Sequence, residues 1–590
     1  MNRTVPSLLL AAAVLTGCSG FLDPLPNGKY TEENLPDYPN LIKGYVYKAY
    51  DLLSHSYYAA EFMGMDAATD DAVYRSSTAA LRLFATGSAT PSSNPFQTLW
   101  ERDYEGIYYA NLFLKDNIGT DTRYLVDKDS DLRLRTALKG DAFALRAWYT
   151  YELLKLFGGR STSGELLGVP LMTEPAALSD MDAASLVRAS YDDCARQILA
   201  DCDSALRYLP RANRDFAVAD IQQNTAVLGG VRYGMFDQIA VKTLQAMAYL
   251  MWASPAFNPL GDRSRYDAAA RLCKEVMDYK TGEEAAVSRF KPLEAFQWSN
   301  CNTPEAIWIS EMATGTGYET GLYPSGFGGS ASIVPSQDLV DAFPAANGYP
   351  VTDVRSGYDP AQPYVGRDPR FYSTIYYNGA SVRPSAAVAP VYTFNTTVGG
   401  ADGPGGMATS PTGYYVKKFL NPRWNAFAES KESTQRAIFF MRWTHLCLMF
   451  AEAANQMVGP LDADTYGLSA RDALAYLRGR TTQDGLQGLG RQGDPYLDEC
   501  ARGGTAAFDA LVRNEWRIET CFEGRRYFDL RRWGAPIDGP VHGARITAAG
   551  TDLGHVVETR SFPSPWQPLH YIEIRKAPGL FQNEGWETWQ

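Results

Sequence analysis

Residues 519–532 form the densest charged segment of the chain, with four arginines and three acidic residues in fourteen positions. An arginine cluster can hold a carboxylate or a phosphate through paired hydrogen bonds. Here the arginines alternate with the acids, which favours ion pairs and hydrogen bonds to carbonyl groups at helix ends. We therefore predict that this segment joins neighbouring helices. The residues are Glu519, Glu523, Arg525, Arg526, Asp529, Arg531 and Arg532.

A second charged group consists of Asp66, Asp70 and Asp71. Several carboxylate oxygens close together could bind Ca²⁺. The alternative is that these acids stand at a helix start or are solvated. We favour the alternative and predict no metal site.

Residue patterns of known catalytic sites are scarce. The five histidines, at positions 55, 445, 542, 555 and 570, form no HExxH motif. Neither a GxSxG nucleophile turn nor a GxxxxGK phosphate loop occurs. The sequence therefore predicts a protein that is not an enzyme and that has no cofactor. A pair of glycosidase carboxylates could still be hidden among the 67 acidic residues.

The N-terminus has the pattern of an export signal. Arg3 precedes a mostly apolar run, residues 6–15, which is too short to span a bilayer. Small residues then precede Cys18, as in a bacterial lipobox, and we predict that Cys18 is lipidated. The alternative is an ordinary signal peptide with a chance cysteine. A lipidated chain is attached to the membrane through its lipid anchor only.

The charge of the chain excludes one class of partner. Removal of the segment before Cys18 takes away one arginine, so the net charge changes from −12 to −13. Nucleic acid demands a concentrated basic face. We therefore predict that the protein does not bind nucleic acid.

Apolar periodicity predicts a mainly α-helical fold. Helices are expected in pairs, with packing of the tetratricopeptide type and few short strands. Residues 286–435 are richer in Gly, Pro, Ser and Thr and are predicted to be loop-rich, with long loops at 315–329 and 380–412. Cys194, Cys202, Cys273 and Cys447 fall in helical apolar patterns and are predicted to be buried thiols. The predicted helices are 99–117, 132–157, 191–209, 236–253, 266–279, 437–457 and 508–522.

Several segments together resemble the SusD/RagB family of outer-membrane nutrient-binding lipoproteins. One of them carries Trp100, Tyr104, Ile107, Ala110 and Asn111, which match the family pattern W-x-x-x-Y-x-x-I-x-x-A-N. Each segment alone is a weak signal, and their order along the chain is specific. The matching segments are 99–113, 140–159, 335–350, 367–379, 412–419, 451–453 and 513–534.

The resemblance implies a function and a partner. It implies a SusD-like scaffold that captures a glycan at the cell surface, on the outer membrane, and delivers it to a SusC-like TonB-dependent barrel. Capture of peptides on the same scaffold is the alternative, and a glycoside-acting enzyme is a further one. The expected organisation begins with a signal peptide (1–17) and a lipidated tether (18–39). An N-terminal helical region (40–285) and a C-terminal region (286–590) follow and form one compact body. The C-terminal region contains the loop-rich insert 286–435.

A glycan-binding site needs aromatic rings for the apolar sugar faces and polar groups for the hydroxyls. Such residues are expected on loops, where the alternative for each is packing inside the protein. The candidates are Tyr74, Arg75, Phe96, Trp298, Asn300, Tyr318 and Tyr323.

Overall fold

The computed structural model describes residues 35–176, 186–213, 232–282, 303, 305–383, 391–428, 431–479, 494–577 and 579–587. Cys18, the signal segment, Trp298 and Asn300 lie outside these ranges. The described residues are mainly helical, as predicted. The helices are α1 Pro39–Asp51, α2 Ala80–Ala85, α3 Gln97–Leu114, α4 Ile118–Asp121, α5 Lys128–Phe157, α6 Tyr191–Leu206, α7 Gln238–Ala253, α8 Ser264–Gly282, α9 Gly317–Leu322, α10 Gln337–Ala342, α11 Pro369–Thr374, α12 Trp443–Val458, α13 Ala470–Arg478, α14 Pro495–Arg502, α15 Thr505–Thr520, α16 Arg526–Trp533 and α17 Tyr571–Lys576.

Local sequence explains where the longer helices begin and end. At the start of α6 the Ser190 hydroxyl accepts a hydrogen bond from the Asp193 amide at 3.0 Å, which caps the first turn. The face that carries Cys194, Ile198 and Cys202 is buried. Helix α5 begins in the same way, because the Asp127 side chain accepts from the Ser130 amide at 2.8 Å.

Successive helices pack side by side through the molecule. Helix α1 packs on α3, α3 on α5, α5 on α6, α6 on α7, and α7 on α8. Helix α12 then packs on α8, α13 and α15. Each amphipathic helix buries its apolar face against the next one, which gives the paired arrangement that the periodicity predicted.

The strands are short and pair in twos. The longest pair is a hairpin formed by Gly539–Thr547 and Gly550–Arg560. The buried pair β4 and β12 crosses from the loop-rich region to the start of α12. The strands are β1 Ala72–Tyr74, β2 Gly159–Arg160, β3 Leu166–Leu167, β4 Ala306–Ile309, β5 Ala313–Gly315, β6 Ile333–Pro335, β7 Ile375–Tyr376, β8 Ser381–Val382, β9 Tyr392–Thr393, β10 Tyr415–Val416, β11 Thr434–Arg436, β12 Phe439–Arg442, β13 Gly539–Thr547 and β14 Gly550–Arg560.

The prediction of a long loop at 315–329 was wrong. The segment contains helix α9 and a 3-10 turn, Ser325–Phe327. Tyr318 and Leu322, four positions apart on α9, are both buried. Their burial stabilises a helix too short for its periodicity to stand out among the neighbouring glycines.

Two of the three acids near residue 70 bind arginine side chains of α15 and α16, and the third binds backbone amides of the C-terminal charged segment. Arg517 donates from Nε to Asp71 at 2.6 Å, and Arg526 donates from Nε to Asp70 at 3.0 Å. Asp66 accepts from the backbone amide of Gly524 at 2.8 Å. We call these five charged side chains, Asp66, Asp70, Asp71, Arg517 and Arg526, the Asp–Arg cluster. The described part of the chain holds no group of three or more metal-ligating side chains placed to share an ion.

Charge pairing sets the protonation of Asp70, whereas burial raises the pKa of Asp66 and of Asp71. Burial alone raises the pKa of Asp70, but Arg517 and Arg526 outweigh it and hold that pKa below its ordinary value. Asp70 is therefore an anion at neutral pH and binds both guanidinium groups. The cluster joins a segment near the N-terminal helices to α15 and α16.

The other residues of segment 519–532 are also structural, as predicted. Arg532 pairs with Glu452 at 2.8 Å and with Asp529 at 2.7 Å. Arg531 donates to the carbonyl of Leu156 at 3.1 Å, near the end of α5. These contacts connect the C-terminal helix α16 to α5 and α12.

The predicted buried thiols are confirmed. Cys194, Cys202, Cys273 and Cys447 are all buried. Within the described ranges, no helix combines the length and apolar composition needed to cross a bilayer.

We expect Arg517→Gln to lower the free energy of unfolding by about 3 kcal/mol, because it leaves buried carboxylates without their partner. The measurement is urea denaturation followed by far-UV circular dichroism. Arg196→Gln is the control, since its side chain is 60% exposed and pairs with an exposed Asp193. That change should cost less than about 1 kcal/mol. Equal losses in the two variants would contradict a structural role for the cluster.

Candidate functional site

Four of the described residues have the chemistry of a binding site, and two of them line one surface groove. Tyr58 and Tyr74 are half-buried, Arg75 is exposed, and Tyr318 is 8% exposed. We call these four residues the tyrosine surface. Tyr58 and Tyr318 line a groove of about 190 Å³. Its other lining residues are His55, Ser56, Ala313, Thr314, Gly315, Gly317, Thr434 and Arg436.

Two glycines make room for the two half-buried rings. A Cβ on Gly321 would lie 3.0 Å from Cζ of Tyr58, and a Cβ on Gly64 would lie 2.7 Å from the hydroxyl oxygen of Tyr74. Each ring therefore lies directly against backbone. The proximity of Tyr58 contributes to the raised pKa of Tyr74, after the larger effect of burial. Tyr58 is thus held against the segment of Gly321, and Tyr74 against the segment of Gly64.

Strand pairing fixes the backbone of Tyr74 and Arg75. Strand β1 pairs antiparallel with β6, and Tyr74 lies opposite Ile333. Beyond the strand, the Arg75 amide donates to the Ser332 carbonyl at 3.0 Å. Nε of Arg75 donates to the Ser330 carbonyl at 2.7 Å. The guanidinium group of Arg75 is thereby held at the surface, at the end of strand β1.

Tyr318 positions the segment that carries Tyr58. Its hydroxyl accepts from the Tyr57 amide at 2.6 Å and from the Ser56 hydroxyl at 3.3 Å. The guanidinium of Arg436 lies 4.8 Å from the centre of the Tyr318 ring and also pairs with Glu319. Burial raises the pKa of Tyr318, so the hydroxyl stays protonated at neutral pH.

This arrangement suits a ligand with flat apolar faces and many hydroxyl groups. The half-exposed rings offer faces for stacking. Arg75, His55, Thr314 and Thr434 offer hydrogen-bonding groups around them.

Three of the predicted binding residues, Phe96, Tyr318 and Tyr323, are buried instead, which corrects the expectation that they are exposed on loops. Of the three, only Tyr318 lines the groove. Phe96 has no exposed surface and packs edge-on against Phe84, with ring centres 5.1 Å apart. Tyr323 has no exposed surface and lies between Phe327 and Trp424, at 4.8 and 5.8 Å. Aromatic rings in a glycine-rich segment pack together because their burial stabilises a region with few other apolar side chains.

Sequence reasoning missed Tyr58, which follows another tyrosine and resembles many half-buried tyrosines of this chain. It also missed Phe427, whose side chain is 55% exposed and packs at 5.5 Å on the ring of Phe327. Phe327 lies three positions before Ser330, whose carbonyl oxygen accepts a hydrogen bond from Arg75. Only the folded positions of these residues single them out.

Two sequence models of one family match this chain. The model of the SusD family matches residues 304–586. A second, described as starch-binding associating with outer membrane, matches residues 20–229. Together they cover most of the sequence, and the chain belongs to the SusD/RagB family. No curated protein matches the chain.

Solved structures share the fold. A SusD-like protein from Bacteroides fragilis is 23% identical, with a TM-score of 0.70, and the match covers 94% of this chain and 98% of that one. A SusD-like carbohydrate-binding protein from the same species is 18% identical, with a TM-score of 0.64 and coverage of 93% and 99%. A SusD homologue from Bacteroides thetaiotaomicron is 20% identical, with a TM-score of 0.62 and coverage of 94% and 99%. The SusD-like scaffold predicted from the sequence motifs is confirmed.

We expect Tyr318→Phe to lower the free energy of unfolding by about 1–3 kcal/mol, because the buried Tyr57 amide loses its acceptor. Tyr191→Phe is the matched control. The Tyr191 ring is 1% exposed, and its hydroxyl has no hydrogen-bond partner among the described residues. Its removal should leave stability nearly unchanged in the same urea titration. A neutral Tyr318→Phe would show that this hydroxyl does not hold the segment 56–58.

Proposed function

We propose that this protein captures a glycan, an oligo- or polysaccharide, on the tyrosine surface. The carrying observation is the half-buried rings of Tyr58 and Tyr74, with the exposed Arg75 next to Tyr74 in sequence, on a chain of the SusD/RagB family. Each sugar ring would stack an apolar face on a tyrosine and donate or accept hydrogen bonds at its edge. Trp298 and Asn300 remain part of the proposal as additional ligand contacts from the loop-rich region.

The same proposal includes the location and the partner. Cys18 would carry the lipid that holds the protein on the outer membrane, facing the cell surface. The bound glycan would pass to a SusC-like TonB-dependent barrel. The lipobox pattern and the family description that mentions the outer membrane support this part.

We propose binding without turnover. The groove presents ring faces, hydroxyls and a guanidinium, and none of these groups needs a shifted pKa to hold a sugar. One of the similar solved structures is that of a SusD-like carbohydrate-binding protein, which supports the same interpretation.

Replacement of both Tyr58 and Tyr74 by Ala should weaken glycan binding at least tenfold, about 1.4 kcal/mol. The loss follows from removal of both stacking faces. The measurement is calorimetric titration of the full chain in detergent solution against a panel of polysaccharides, with chromatography of the ligand afterwards to detect cleavage.

Tyr476→Ala is the control, because Tyr476 is a 38% exposed tyrosine on α13, outside the groove. It should leave the affinity unchanged. Unaltered affinity in the double variant would refute the site, and cleaved ligand would refute binding without turnover. Saturable heat of binding with peptides, and none with polysaccharides, would support peptide capture instead.

A further inference from the structure

A second groove lies on the surface between α3 and α17. It has a volume of about 290 Å³, and none of the four residues of the tyrosine surface lines it. Since a water molecule takes up roughly 30 Å³, a space of this size holds about ten heavy atoms. The groove is therefore large enough for a small organic ligand.

Aromatic and aliphatic side chains form the walls of this groove. Trp100 and Tyr104 of α3 are buried, with ring centres 4.8 Å apart, and Tyr108, one turn further along, is half-buried. Ile107 and Met172 also line the groove. The faces of Trp and Tyr rings attract cations as well as apolar groups. The walls therefore suit a ligand that combines an apolar body with a positive charge.

The groove carries more negative than positive charge. Three glutamates line it, Glu101, Glu105 and Glu573, and Lys576 is the one lysine or arginine among its described lining residues. Glu101 and Glu105 are exposed and lie four positions apart on α3, and neither forms an ion pair within the described part of the chain. Like charges at this spacing on a helix repel each other. A cation bound in the groove would reduce that repulsion.

Glu573 brings a carboxylate into the groove from α17, although the residue is only 5% exposed. Its Oε1 accepts from Nζ of Lys576 at 3.1 Å, and the Lys576 side chain is 61% exposed. Its Oε2 accepts from no donor in the described ranges. A carboxylate that is shielded from water is stabilised by further hydrogen bonds and by positive charge. This oxygen is thus an acceptor that a ligand can use.

Glu101 and Glu573 are close enough to share one cation. Nε2 of Gln97 lies 2.8 Å from Oε1 of Glu101 and 3.5 Å from Oε1 of Glu573. The two oxygens are therefore at most about 6.3 Å apart, the sum of these distances. An ammonium group has three N–H donors, and each bonds a carboxylate at about 2.7–2.9 Å. One ammonium can bridge both acids.

We propose that this groove binds a small primary amine with a compact apolar body, such as an arylalkyl amine. The ammonium donates to Glu573 Oε2 and to the Glu101 carboxylate, and the body lies against the aromatic wall that includes Tyr108. The bound amine lowers the excess negative charge of the lining. This site is separate from the tyrosine surface and does not depend on glycan capture.

Phenethylamine and its neutral isostere 2-phenylethanol test the proposal on the full chain in detergent solution at neutral pH. Saturation-transfer NMR and calorimetry should show phenethylamine binding with a Kd of about 1 mM or tighter. The alcohol should bind at least tenfold more weakly, because it brings no positive charge. Equal affinity for amine and alcohol, or no amine binding up to about 10 mM, overturns the proposal.

Variants locate the site. Glu573→Gln should weaken phenethylamine binding at least tenfold, because it removes the buried charge. Glu275→Gln is the matched control, since this glutamate of α8 has a 58% exposed side chain and lies outside the groove. Its affinity for phenethylamine should be unchanged. Equal loss in Glu573→Gln and Glu275→Gln overturns the assignment.

Lys576→Gln gives an effect of the opposite sign. It removes the ammonium that competes for Glu573, so phenethylamine should bind at least threefold more tightly. Unchanged or weaker binding overturns the proposal. If Glu573→Gln fails to fold, the comparison of amine with alcohol on the unaltered chain still decides. A glycan that binds the tyrosine surface should not displace phenethylamine, so the two sites fail or succeed independently.

Discussion

The buried ion pairs of the Asp–Arg cluster are the constraint on which the rest of the structure depends. Asp70 and Arg526 are 456 positions apart, and their carboxylate and guanidinium are 3.0 Å apart. The cost of burying these charges is offset only when all partners are in place. Strand β1 follows Asp71 directly, so the position of Tyr74 depends on the same contacts. Arg560 strengthens the junction by donating to the carbonyls of Thr69 and Ala67 at 2.9 and 3.2 Å.

The charged segment 519–532 could be interpreted from the sequence, because alternating charges are a local pattern. Its partners could not, since Asp66, Asp70 and Asp71 gave no sign of distant arginines. The long helices were predictable for a similar reason, as each carries its own periodicity. The short helix α9 was missed because only tertiary burial of Tyr318 and Leu322 stabilises it.

The candidate site was partly predictable. Tyr74 and Arg75 were expected at an exposed site, and the structure leaves Tyr74 half-buried and Arg75 exposed. Phe96, Tyr318 and Tyr323 have the same local signature, yet they are buried, and of these three only Tyr318 lines the groove. The difference lies in neighbours that local sequence does not reveal, such as Gly321, which leaves space for the Tyr58 ring from 263 positions away.

The pairing of β1 with β6 has a consequence for how the protein matures. The groove that Tyr58 and Tyr318 line is formed by residues between His55 and Arg436. The Asp–Arg cluster, which supports strand β1, includes Arg526. Contacts of such long range form late in folding, after loop closure across most of the chain. A polypeptide that emerges from N-terminus to C-terminus therefore has no complete binding surface until almost all of it has been released. Truncated chains have no ligand site to protect them, and their exposed aromatic segments are open to proteolysis.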